Sequence, residues 1–170
     1  MKWPPLIIGT LGLTLLQTSA IPAFELLGVA PNLLLVTLCC WAVVRDQREA
    51  LLMVPLAGVW LGLLSHQGMA ESVAAYVPLI VVAGLHDQIR PPNEYAWALA
   101  VIIVATVLHF FAVAAALQID GASVDWVAAM TDVGVPSVLT NLAIGAIVYW
   151  LVRLPTPRAG FSGDALRREN

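Results

Sequence analysis

The chain of 170 residues is 60% apolar and only 11% charged, whereas a soluble domain carries about 25% charged residues. A small folded domain keeps a third or more of its surface wet and has nowhere to hide so many apolar side chains. Disorder needs the opposite composition, and a net charge of −3 is too small to steer nucleic acid. What these numbers leave is an all-α, polytopic membrane helix bundle.

The start, MKWPPLIIGTLGLTLLQTSA, has the outline of a secretory signal, with one lysine, an apolar core and small residues after it. Everything downstream is equally apolar, so the segment reads as a retained first span. A helix needs about 20 apolar residues to cross about 30 Å of hydrocarbon. Six runs qualify as candidates: 5–23, 31–44, 50–64, 72–85, 95–119 and 133–152. The second, third and fourth are short, and Pro55 and Pro78 interrupt the third and fourth.

Charge gives a separate reading. Alternating the breaks between two sides places all eight Lys and Arg residues on one side: the N-terminus, 45–49, 86–94 and the tail. The other side, 24–30, 65–71 and 120–132, holds Glu25, Glu71, Asp120, Asp125 and Asp132 and no basic residue. The positive-inside rule then predicts six transmembrane helices with both termini cytoplasmic. The domain division is a transmembrane domain over 1–153 and a flexible cytoplasmic tail over 154–170, which is rich in proline, glycine and charge.

Chemistry inside a membrane announces itself through ionisable or metal-binding groups facing the bundle interior. Cys39 and Cys40 are adjacent in an apolar run and read as packing residues. His109 is alone in the fifth run and reads as a neutral histidine bonded to a neighbouring helix, while His66 and His86 fall in breaks on opposite sides. No metal site, cofactor or catalytic group is expected. Asn141, deep in the sixth run, and Gln17, in the first, read as hydrogen-bonding contacts between helices or with a partner. Gly58 and Gly62 make a small-residue face. The charged stretch Arg45–Glu49 reads as a tight turn, and Pro31-Asn32 as a helix start.

At these residues the chain resembles the MreD family of bacterial rod shape-determining membrane subunits. The stretch PNLLLVTLCCWAVVRDQREALLMVPLAGVWLGLLS is similar to the segment that marks that family. Pro31 and Asn32 match its helix-opening step, Arg48 and Glu49 its turn, and Gly58 its glycine-bearing helix. Asn141, in a last span before a basic tail, matches an asparagine common in the family's last helix. Gly62 stands where the family usually has an aspartate, and Gly68-Met69-Ala70 where it has Pro-Leu-Gly.

The resemblance implies a scaffold subunit of the elongation machinery that builds the lateral cell wall, without catalysis of its own, in the bacterial inner membrane. Its implied partners are MreC, the glycosyltransferase RodA with its class B penicillin-binding transpeptidase, and the MreB filament, besides the lipid bilayer. Partner or structural contacts would then fall at Asn32, Arg48, Glu49, Gly58, Gly62 and Asn141. The alternative is a substrate-binding membrane subunit resembling those of energy-coupling-factor vitamin transporters, with a polar pocket at Asn32, Glu71, Trp126 and Asn141.

Overall fold

The computed structural model describes residues 3–45, 47–64, 72–73, 75–77, 79 and 92–154. The regular elements among them are helical: α1 (Trp3–Ser19), a 3₁₀ turn (Ile21–Ala23), α2 (Leu33–Val44), α3 (Gln47–Leu64), α4 (Glu94–Ile119), α5 (Trp126–Ala129), a π-helical turn (Met130–Gly134) and α6 (Val135–Arg153). Residues 72–73, 75–77 and 79 are helical too. The tail from 155 on, His66, His86, Glu71 and most of the fourth apolar run lie outside the described residues.

The protein is a helical, multi-span membrane protein, but the count of six crossings is overturned. Three stretches among the described residues are long and apolar enough to cross: Pro4–Ala23, Glu94–Ile119 and Trp126–Arg153, of 20, 26 and 28 residues. At about 1.5 Å per residue they reach about 30, 39 and 42 Å. By the same measure α2, with 12 residues, reaches only about 18 Å, well short of about 30 Å of hydrocarbon. The apolar part of α3, Glu49–Leu64, is also below spanning length. Taking every apolar run as a crossing ignores the other way to keep such a run out of water, which is to surround it with protein. The alternation that put both termini in the cytoplasm assumed six crossings and falls with that count.

α2 is the surrounded element. Its sequence LLLVTLCCWAVV is apolar on every side, the pattern of a fully buried helix, and Leu34, Leu35, Val36 and Cys40 have no exposed surface. Met53, Val54 and Ala57 of α3, Ala98, Ile102 and Ala105 of α4, and Val148 and Tyr149 of α6 share its core. α1 packs on α3 and leaves Ile7, Ile8, Leu15 and Leu16 exposed. Lipid is as apolar as leucine, so close van der Waals contact, rather than exclusion of water, joins these helices.

Hydrogen bonds show which helix ends meet. The Gln17 amide near the end of α1 donates to the Pro31 carbonyl at 3.1 Å and accepts from the Leu34 N–H at 3.3 Å, at the start of α2. At the opposite end of α2, the Arg45 guanidinium donates to the Val152 carbonyl at 2.9 and 3.1 Å and to the Leu154 carbonyl at 3.1 Å. It thereby satisfies carbonyls that the last turn of α6 leaves without intrahelical partners. Arg153 also reaches the Tyr149 hydroxyl at 2.9 Å and Glu94, at the start of α4, at 4.0 Å. Among the described residues one end of the bundle therefore carries Arg45 and Arg153 with Glu49 and Glu94, while the other carries Glu25, Asp120, Asp125 and Asp132.

The stretch expected as a tight turn is shorter than the sequence suggested. α3 begins at Gln47, so Arg48 and Glu49 lie in its first turn, where the Glu49 carboxylate accepts from the Trp41 indole N–H at 3.2 Å. The Arg48 side chain is outside the described residues. α3 continues without a break through Pro55, whose missing N–H removes one intrahelical bond.

Gly58 sits where α3 meets the helical residues 72–73. A Cβ at Gly58 would stand 2.8 Å from the Val73 Cα and 3.0 Å from its Cγ2, so backbone would have to move. Gly145 makes the matching approach between α6 and α4, but a Cβ there meets the mobile tip of Ile102, 2.5 Å away. Gly62 lies half-buried one turn after Gly58. Gly58→Ala is therefore expected to destabilise the bundle by about 1–3 kcal/mol, and Gly145→Ala by less, since Ile102 can change rotamer. Thermal unfolding of both variants in detergent checks this order.

Candidate functional site

Because α2 is too short to reach both membrane surfaces, its first turn lies inside the bundle, where every backbone amide needs a partner within the protein. Asn32 supplies several of them. Its side-chain oxygen caps the helix by accepting from the Leu35 N–H at 3.0 Å, and it accepts again from the Tyr76 hydroxyl at 3.1 Å. The backbone N–H of Asn32 donates to the Asn141 side-chain oxygen at 2.8 Å, across 109 positions of sequence. Asn141, 2% exposed, donates in turn to the Thr106 hydroxyl oxygen at 3.1 Å.

His109 completes the cluster, and its tautomer follows from its neighbours. Nδ1 lies 2.8 Å from the Ala75 carbonyl oxygen; a carbonyl only accepts, so Nδ1 carries the proton. The Asn32 oxygen is committed to two donors, which turns the Asn32 Nδ2 towards His109 Nε2 at 3.4 Å. Nε2 is then the accepting nitrogen and the ring is neutral. A second ring proton would face the Asn32 NH₂ group, and relieving that clash by flipping the amide would break both bonds to the Asn32 oxygen. The Tyr76 ring lies 5.0 Å from the imidazole, centroid to centroid.

A cavity of about 190 Å³ opens beside this cluster. Asn32, Thr106, His109, Ser137 and Asn141 give it polar walls, and Ala30, Phe110, Val113 and Val133 give it apolar ones. The π-helical turn Met130–Gly134 lies directly before α6, in whose first turn Ser137 falls. Such a turn inserts a residue into the helical register and is frequent at functional sites. At its end, a Cβ at Gly134 would stand 2.7 Å from the Met130 Sδ and at ordinary contact distance, 3.6 Å, from the Phe110 ring. The turn before α2 is tied down as well: Leu26 and Val29 bond to each other in both directions at 2.9 and 3.1 Å, and the Thr140 hydroxyl donates to the Leu26 carbonyl at 3.2 Å.

Comparison with protein-family models, with curated proteins and with solved structures returns no match. The site is therefore read from its own geometry.

Of the residues singled out in the sequence, the fold brings Asn32 and Asn141 into direct contact and places His109 beside them. Arg48 and Glu49 belong to the opposite end of the bundle, and Gly58 serves the packing of α3. Gln17 does bond a neighbouring helix, at the α2 start. Trp126, one of the pocket residues of the alternative reading, is exposed and does not line the cavity, and Glu71 is outside the described residues. Tyr76, Thr106 and Ser137 escaped sequence reasoning, since lone hydroxyls are common in membrane helices. The signal that pointed to the site was the shortness of the second run, which obliges a helix start to be buried.

Asn141→Ala removes two hydrogen bonds and leaves the Asn32 N–H and the Thr106 hydroxyl without that partner. The expected loss is about 1–3 kcal/mol, the usual cost of an unsatisfied buried group. Thr106→Val keeps the shape and leaves only one amide hydrogen unpaired, so about 0.6 kcal/mol, a typical hydrogen bond between membrane helices, is expected. Reversible unfolding of both variants in mixed micelles measures the difference.

Proposed function

We propose that the protein is a non-catalytic scaffold subunit of the bacterial lateral wall-elongation machinery, of the MreD type, in the inner membrane. The observation that carries this reading is the Asn32–Asn141 contact at 2.8 Å. These two residues, 109 positions apart, are both among those that carry the resemblance to the MreD family. Their meeting gives both a common role, holding a short buried helix at a set depth against the last span. The broad apolar faces of α1, α4 and α6, with Ile8, Phe111 and Ile147 exposed, support a protein that works through contacts within the membrane.

On this reading MreC, RodA with its class B penicillin-binding transpeptidase, and the MreB filament are the partners, and the subunit sets their positions in the membrane without making or breaking a bond. Crosslinking in cells followed by purification in mild detergent is expected to recover the protein with these wall-synthesis components. Depletion in a rod-shaped host is expected to widen cells progressively until they are round. Recovery of the protein alone under crosslinking, with depleted cells keeping their rod shape, overturns the reading.

A further inference from the structure

The cavity at the start of α2 has more hydrogen-bonding capacity than the protein uses. An asparagine amide has two N–H donors. Asn32 Nδ2 spends one on His109, and Asn141 Nδ2 spends one on Thr106, so each keeps a second. The Ser137 hydroxyl has no hydrogen-bond partner among the described residues. The Thr131 hydroxyl, in the π-helical turn before α6, bonds the Val127 carbonyl four residues back. His109 Nε2 already accepts from the Asn32 amide at 3.4 Å, so the acceptor left for an incoming donor is the Ser137 hydroxyl oxygen. Unused hydrogen-bonding capacity away from water is costly, and Asn32, Asn141 and Ser137 all line one cavity.

We propose that this cavity binds a small, uncharged, flat ring molecule that carries a carbonyl beside an N–H group. Size sets the first limit: a cavity of about 150 Å³ holds benzene, so about 190 Å³ holds a six-membered ring with one or two substituents. Charge sets the second. Among the described residues no Asp, Glu, Lys or Arg lines the cavity, and an ion would lose its hydration with no counter-charge from them to replace it. Hydrogen bonding sets the third. The spare amide hydrogens of Asn32 and Asn141 call for a carbonyl oxygen, and the Ser137 hydroxyl oxygen can accept from an N–H next to it. The Phe110 ring and the Val113 and Val133 side chains provide an apolar wall for a planar body. The site is independent of the scaffold role, because the partners of that role would meet the outer faces of the bundle.

Titration of the full chain in phospholipid nanodiscs, followed by saturation-transfer NMR, tests the site with three probes. 2-Pyridone has the ring, the carbonyl and the adjacent N–H. N-Methyl-2-pyridone lacks the donor, and benzoate is a ring of similar size with a charge. 2-Pyridone is expected to bind saturably at about 1 mM or below, the range open to a ligand of about seven heavy atoms. The N-methyl derivative is expected to bind about tenfold more weakly, and benzoate not at all. Ser137→Ala, which removes one neutral hydrogen bond, should weaken 2-pyridone about three- to tenfold, and Ser137→Phe, which fills the space, should abolish binding. Absence of saturable binding by 2-pyridone, a cavity holding water only, overturns the proposal. So does equal binding of N-methyl-2-pyridone or benzoate, or binding that neither Ser137 variant changes. Ser137→Ala preserves volume and keeps the test valid if Ser137→Phe does not fold. Failure here leaves the crosslinking and cell-shape result untouched.

Discussion

A helix that starts inside an apolar medium has several backbone N–H groups with nowhere to go, and this molecule is organised around meeting that demand at the start of α2. Asn32 caps the helix from within, Gln17 of α1 reaches the Leu34 N–H, and Asn141 of α6 takes the Asn32 N–H. Each of these partners comes from a different segment. Placing α2 therefore places α1 and α6 relative to it, and Tyr76, Thr106 and His109 extend the same network to α4 and to the helical residues before it. Two asparagines do most of this because an amide both donates and accepts at one end of a short side chain.

The other end of α2 solves the complementary problem. The last carbonyls of α6 lack partners, and Arg45 presents its planar donors to two of them, with Trp41 beneath the guanidinium at 5.8 Å. Glu94, Tyr149 and Arg153 join α4 to α6 at the same level. Between these polar ends the bundle is apolar and close-packed, with Gly58 admitting the Val73 backbone and Gly145 the Ile102 side chain. Polar groups thus set register and depth, while apolar contact supplies the bulk of the packing.

Several features of the site were legible in the residues. Pro31-Asn32 reads as a helix start, and Asn32 is the N-cap of α2. Gln17 and Asn141 read as groups needing partners on other helices, and both have them. His109 reads as a neutral ring bonded to its surroundings, which the Ala75 carbonyl and the Asn32 amide explain. The cavity was not legible, because its walls come from residues far apart in sequence, Ala30 and Asn32 before α2, Thr106 to Val113 on α4, and Val133 to Asn141 in the π-helical turn and α6.

Composition alone determined that this chain is a helical membrane protein, since so few charges and so many apolar residues have no other stable solution. The order of residues also determined that every basic residue falls in one alternate set of breaks, acids occurring in both sets. The number of crossings was decided only by the tertiary structure. An apolar run of 12–16 residues satisfies the same hydropathy whether it faces lipid or is wrapped in protein, and only packing tells the two apart. α2 is wrapped, so its polar start is internal, and from that one fact come the asparagine network and the cavity beside it.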